Sequence, residues 1–280
     1  MRNNHFTSLN PKDELFKKLK GNNPIWWQFV KENIKPGGFY VDIRKDNSLN
    51  VYYNGGSLLR ITFSKGTIKG KIHQSYLGIA GSKYVYYELD RLPMDIDEIK
   101  KRIVSKYGDT SENGIKAKLI CDPNAKYIDS EFAYSEIIVK KKSRYGKEVD
   151  AYLTTRIDLT KLENGRIVFI ELKRIEDGRL LTDEYENGEP EILSQIKVYN
   201  QFIKAHKEEI TNYYKKLFSI KHDLGILPKR LTGIDNIDDY VLCEGVELYV
   251  ESYSSRNPRR IRRINAIKAI LDRNNIIHNL

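Results

Sequence analysis

Apolar positions along this chain change period several times, and each change marks an element. Between residues 11 and 34, Leu15, Leu19, Ile25, Trp26, Phe29 and Val30 recur at helical spacing, and Pro24 is placed to begin a second short helix. Pro36-Gly37-Gly38 ends that run. From 39 to 90 the period falls to two. FYVDI, LNVYY, LLRITF and GKIHQ are short alternating segments separated by Gly, Asn and Lys, which predicts a β-meander, and 84–89 can add a strand. Residues 95–107 return to the helical period, with Ile96, Ile99, Ile103 and Val104 on one face. Residues 108–118 read as a polar loop.

A second unit begins near Ala117. Its pattern predicts a helix over 129–139, strands over 148–159 and 166–174, a helix over 189–206 with further helix to 219, a strand over 246–252 and a basic helix over 259–274. The expected organisation is a β-meander-rich region over 1–116 and an α/β unit with a mixed sheet over 117–280. No internal repeat or low-complexity linker separates them.

With 280 residues, 40% of them apolar, the chain can bury a substantial core. No apolar run is long enough to span a bilayer, and the N-terminal residues lack the apolar centre of a signal peptide. Cys121 and Cys243 are too few for a disulfide framework and lack zinc spacing, so a reduced, cytoplasmic protein without membrane partners is expected. The five histidines are scattered, and there is no Gly-rich phosphate loop, so neither a His-metal cluster nor ATP use is indicated. The formal charge of +10 and the pI of about 9.3 favour a polyanionic partner.

The chemistry concentrates in residues 156–174, RIDLTKLENGRIVFIELKR. An acid, Asp158, ends one apolar run, and after a short turn a second run delivers Glu171, Leu172 and Lys173. Residues two apart in a strand leave the same face, so Glu171 and Lys173 emerge together while Leu172 anchors the other side. The strand is apolar on both faces, as expected of a central strand, and ending such a strand in charge is costly unless the charges are paired or bind a metal. Two carboxylates held together repel each other, and a divalent ion between them relieves that repulsion.

Downstream, Gln195 and Tyr199 stand four apart on a helix begun by Pro190, one above the other, where an amide and a hydroxyl can brace a carboxylate or touch a phosphate. Upstream, Asp129-Ser130-Glu131 reads as a helix start, with Ser130 as its cap and Glu131 able to turn inward as a third acid.

Asp158, then Glu171-Leu172-Lys173 at the end of an apolar strand, then a helix with Gln195-x-x-x-Tyr199, resembles the PD-(D/E)xK nuclease superfamily and its RecB-like branch. The resemblance covers about 129–206, with 246–252 as a last core strand, and leaves the first 115 residues outside. The family's leading Pro-Asp dipeptide is absent, since Ile157 precedes Asp158. The resemblance implies a restriction-endonuclease-like αβββαβ core and a metal-dependent nuclease acting on DNA in preference to RNA. It also implies Mg²⁺ or Mn²⁺ held by Asp158, Glu171 and the Leu172 carbonyl, with Lys173 serving the attacking water. Gln195 and Tyr199 would position substrate or ligands. Glu131 fits the family's helix acid best, as a further catalytic and metal residue, with Glu136 second. A homodimer is left open, since double-strand cutting usually takes two sites.

Glu-x-Lys alone carries little weight, and a second copy, Glu98-Ile99-Lys100, lies in a helical pattern where the two side chains diverge. Basic residues that can meet phosphate are Arg156 and Arg174 beside the site, the 140–147 segment with Lys141, Lys142 and Arg144, and Arg259, Arg260, Arg262 and Arg263 at the last helix. The tyrosines at 52–53 and 84–87 can stack bases or serve strand packing. Two rival functions remain: a nucleic-acid-binding module on the same fold that does not cut, and a protein-interaction scaffold led by residues 1–115.

Overall fold

A computed structural model describes residues 6–142, 148–181 and 189–280, with the side chains of Thr7 and of 136–153 outside the description. Asp13 caps α1 (Glu14–Gly21) by accepting from Leu15 N at 2.9 Å, and Pro24 precedes α2 (Ile25–Glu32). The first sheet follows as an antiparallel meander in chain order: β1 (Phe39–Ile43), β2 (Leu49–Tyr53), β3 (Gly56–Ser64), β4 (Thr67–His73) and β5 (Tyr84–Tyr87). Two of its turns are the left-handed pairs Asn54-Gly55 and Lys65-Gly66, whose positive φ values suit two-residue hairpins. Helix α3 (Leu92–Lys106) lays Leu92, Ile96, Ile99 and Ile103 on one face of this sheet.

The segment expected as a polar loop contains α4 (Glu112–Ile120), capped by Ser111 Oγ, which accepts from Gly114 N at 3.1 Å. The segment expected as a helix over 129–139 is instead β6 (Tyr127–Lys142). Asp129-Ser130-Glu131 resembles a helix start, but Ile128, Phe132 and Tyr134 are buried at even spacing, and the aromatic and β-branched content favours a strand. Ser130 therefore caps nothing, and its hydroxyl donates to Asp42 at 2.5 Å.

Strand β6 pairs with β7 (Glu148–Glu163), and an Asn164-Gly165 turn leads to β8 (Arg166–Arg174). Helices α5 (Glu191–Ala205) and α6 (Lys207–Leu224) follow. Short β9 (Val241–Leu242) and then β10 (Glu247–Glu251) return parallel to β8, and α7 (Pro258–Arg273) closes the chain. The second sheet is thus mixed, in the order β10-β8-β7-β6 with β9 beside β8. Central placement of β8 explains why all of residues 167–173 are buried.

The two sheets are not separated by a linker. Residue 116 lies inside α4, and one apolar cluster runs from Phe6 and Trp27 through Ile61 to Phe169, Tyr214 and Val246. No helix among the described residues is long and apolar enough to cross a membrane.

Candidate active site

Pairing between β7 and β8 ends at Leu159↔Ile170, so the next residues, Asp158 and Glu171, face each other where the ladder stops. On the other side of β7, the pairs Ser130↔Leu159 and Phe132↔Ile157 set Glu131 opposite Asp158, with Glu131 at φ 54°. Three acids therefore form a row across three adjacent strands. Asp158 lies within its strand, not at its tail as the sequence suggests.

Each acid has a different environment. Asp158 Oδ2 accepts from Leu172 N at 3.0 Å, and its Oδ1 accepts from Lys116 Nζ at 3.1 Å. Glu131 accepts from the same Lys116 ammonium at 3.3 Å and from Arg156 Nη2 at 3.0 Å. Burial pushes the Glu131 carboxyl up, but Lys116 and Arg156 outweigh it, so its pKa lies below the usual carboxylate range. The Glu171 carboxyl is pushed up to about 7, first by burial and then by the Asp158 charge, against the pull of Lys173. Lys173 Nζ donates to Glu171 Oε1 and, at 3.2 Å, to the Leu172 carbonyl. Gln195 Nε2 donates to Glu171 Oε1 at 2.7 Å and approaches Tyr199 Oη at 2.8 Å, while Tyr199 Oη donates to the Arg156 carbonyl at 2.6 Å. Burial and the nearby Glu171 charge raise the Tyr199 hydroxyl to about 12, so it stays a donor at neutral pH.

These residues line a cleft of about 650 Å³ whose opposite wall is the first sheet. Comparison of the chain with protein-family models, with curated proteins and with solved structures gave no match.

Four charged residues lining the cleft lie outside the sequence expectation: Glu112 and Lys116 on α4, Arg179 in the 178–180 turn, and Arg60 on β3. Burial, then the Asp158 charge, raises the Glu112 carboxyl. Glu112, and not Glu131, is the acid that a helix brings to this cleft. Its sequence signal is the Ser111 cap followed by Glu112 and Lys116 four apart, obscured by Gly114. Arg179 is bound to Asp177 through two side-chain contacts, at 3.0 and 2.6 Å.

Of the expected phosphate-contacting residues that the structure describes, Arg156 lines the cleft and Arg174, Arg259, Arg260, Arg262 and Arg263 do not. Arg174 pairs with Glu176 at 3.5 Å. Arg263 donates to the Ile175 and Asp177 carbonyls, fastening α7 to the end of β8, and Arg260 stacks over Tyr253 at 4.7 Å. Arg259 and Arg262 are exposed on α7. The side chains of Glu136, Lys141, Lys142, Arg144 and Lys147 lie outside the described residues. The second Glu-x-Lys copy is dispersed as expected: Glu98 pairs with Lys101 at 2.7 Å, and Lys100 sits over the Phe39 ring at 4.9 Å.

Among the described residues, no group of three or more His, Cys, Asp or Glu is placed to hold one metal ion. The set that can hold one is smaller. Glu171 Oε2 is buried and has no hydrogen-bond partner, Asp158 is next in register across β7 and β8, and the Leu172 carbonyl shares the Lys173 ammonium with Glu171 Oε1. Two carboxylates and a carbonyl, completed by water, are donors of the kind Mg²⁺ takes.

Proposed function

We propose that this chain is a divalent-metal-dependent nuclease of the PD-(D/E)xK type, hydrolysing phosphodiester bonds in DNA. The observation that carries the reading is the buried, unpartnered Glu171 Oε2, set opposite Asp158 with the Lys173 ammonium against its other oxygen. A buried anionic oxygen without a donor is costly, and a bound cation relieves that cost. The element order α4-β6-β7-β8-α5-α6-β9-β10 supports a restriction-endonuclease-like αβββαβ core, with one extra helix and one short extra strand.

Asp158, Glu171 and the Leu172 carbonyl would hold Mg²⁺ or Mn²⁺. When bound, the ion lowers the pKa of a water molecule and stabilises charge developing on phosphate. Lys173, fixed by Glu171 and the Leu172 carbonyl, orients the attacking water and offsets charge developing on phosphate. Gln195 fixes the Glu171 rotamer, and Tyr199 ties α5 to β7 so that this brace is preset. Arg156 and Arg179 face the cleft with charge complementary to phosphate.

Cleavage of a mixed panel of DNA substrates with Mg²⁺ or Mn²⁺ tests this reading. Lys173→Ala and Glu171→Ala should each lower the rate by about 100-fold or more, and Glu98→Ala should leave it unchanged. Equal cleavage by Lys173→Ala and the parent protein would remove the hypothesis.

One observation favours a second reading, a nucleic-acid-binding module that does not cut. Lys116 already places a cation between Glu131 and Asp158. Salt-sensitive DNA binding without metal-dependent turnover would select it.

A further inference from the structure

The first sheet has two unlike faces. Leu49, Val51, Ile61, Ile72 and Tyr87 point to the buried side, where α3 packs. The register places Asn50, Arg60, Lys71 and Tyr86 in one cross-strand row on the opposite side, with His73 and Tyr84 paired in the next row. On β5, Tyr87 is 6% exposed, while Tyr84 and Tyr86 are 43% and 65% exposed. Strand packing accounts for Tyr87; the Tyr84 ring meets His73 edge-on at 5.4 Å and keeps its other surface open, and Tyr86 is the more exposed ring.

Over β3, β4 and β5 the charge on this face has one sign, while Asp42 of β1 continues the row beyond Asn50. Strands β3, β4 and β5 contain no Asp or Glu. Arg60 pairs with Asp46 at 2.5 Å, but Lys69 and Lys71 have no ion-pair partner among the described residues. The face also runs into the cleft, since Asn50, Arg60 and Tyr84 line it.

A separate observation points to a ligand at the junction. Among the described residues, four buried side-chain polar atoms lack a hydrogen-bond partner: Asn50 Oδ1, Ser57 Oγ, Glu171 Oε2 and Gln195 Oε1. All four residues line the cleft, two on each wall. All four atoms can accept a hydrogen bond, and Ser57 Oγ can also donate one, so a donor or a cation is the partner that suits all four.

We propose that the open face of the first sheet is a platform for an unpaired polynucleotide strand, which passes Asn50 and Ser57 into the cleft. Bases stack on Tyr86 and Tyr84, and Lys71 and Lys69 track the phosphates. In a duplex the base faces are already stacked and the Watson–Crick donors are already used, so exposed rings and buried acceptors both select an unpaired strand. The inference deepens the nuclease reading by naming its substrate class, and it rests on that reading only for the fate of the strand.

The test is fluorescence anisotropy in EDTA, with an oligothymidylate of about twenty nucleotides and a duplex of equal length as probes. The parent should bind the single strand more tightly than the duplex. Tyr84→Ala/Tyr86→Ala should lose about tenfold or more on the single strand and less than about twofold on the duplex. Tyr86→Phe should retain single-strand binding, which separates stacking from misfolding. Lys71→Gln should lower the slope of log affinity against log salt by about one. Unchanged single-strand affinity in the double variant, equal losses on both probes, or a parent that prefers duplex would each overturn the proposal. Because binding is read without metal, a protein that binds in this way and never cuts would sink the nuclease reading alone. A protein that cuts but ignores the tyrosine changes would sink the platform alone.

Discussion

Lys116 is the residue on which the electrostatics of the cleft turn. Its side chain is 4% exposed, and its ammonium lies 3.1 Å from Asp158 and 3.3 Å from Glu131. Burial disfavours its charge, yet the two carboxylates outweigh that and raise its pKa, so it is a fixed cation. Replacing it with Met leaves Asp158 without its ion-pair partner and Glu131 with Arg156 alone as a close counter-charge. Lys116→Met should destabilise the fold by about 3 kcal/mol in denaturant unfolding. Adding Glu131→Gln to that variant should recover part of the loss, because the two changes couple through one contact. A loss unchanged by the second substitution would show that Lys116 acts through packing. Neither Lys116 nor Glu112 was legible in the sequence, since Gly108, Asn113 and Gly114 give 108–118 the composition of a loop. Asp158, Glu171, Lys173, Gln195 and Tyr199 were legible because period two in a strand and spacing four in a helix fix which side chains share a face.

Elements bring those residues to one place, and the contact between the first sheet and α4 shows how tightly. Gly55 has φ 77°, and a Cβ there would fall 2.3 Å from the Asn113 carbonyl oxygen. The β2–β3 turn therefore lies directly against the first turn of α4, the turn that carries Glu112 into the cleft. Gly55→Ala should cost about 2 kcal/mol through left-handed strain and the displaced carbonyl, read as a lower melting temperature. An unchanged melting temperature would mean that α4 can shift freely. The meander and α3 were readable from period alone. Strand β6 was not, because its polar residues fall where a helix start would put them. The even spacing of Ile128, Phe132 and Tyr134 is a short local signal, and the long-range pairing with β7, through Ser130↔Leu159 and Phe132↔Ile157, completes it. Pairing across the chain is absent from any local window.

Across the whole molecule, a buried polar network joins the two sheets. Lys221 of α6 donates to Asp42 of β1 and to the Ile128 carbonyl of β6, while Arg44 donates to the Ser130 carbonyl and lies 3.6 Å from Asp129. Burial, then the Asp42 charge, pushes Asp129 from an ordinary value of 3.8 up to about 7. In that window the folded state holds a proton that the unfolded state has released. Stability should therefore be highest below about pH 4 with respect to this group and fall as pH rises toward 7. Glu171, raised to about 7, adds a slope of the same sign. Asp129→Asn should flatten the decline in unfolding free energy over that range, and an unchanged slope would remove Asp129 as its source. The same network holds the basic, tyrosine-bearing face of the first sheet beside the acids of the second, so one cleft carries features of both halves.

The most direct measurement of the central claim is a crystal structure of the full chain grown with Mn²⁺. The account predicts anomalous density between Asp158 and Glu171, within bonding distance of the Leu172 carbonyl, with the Lys173 ammonium alongside. Metal-dependent DNA cleavage by a protein whose Mn²⁺ lies elsewhere, or whose Asp158 and Glu171 remain bare, would contradict it.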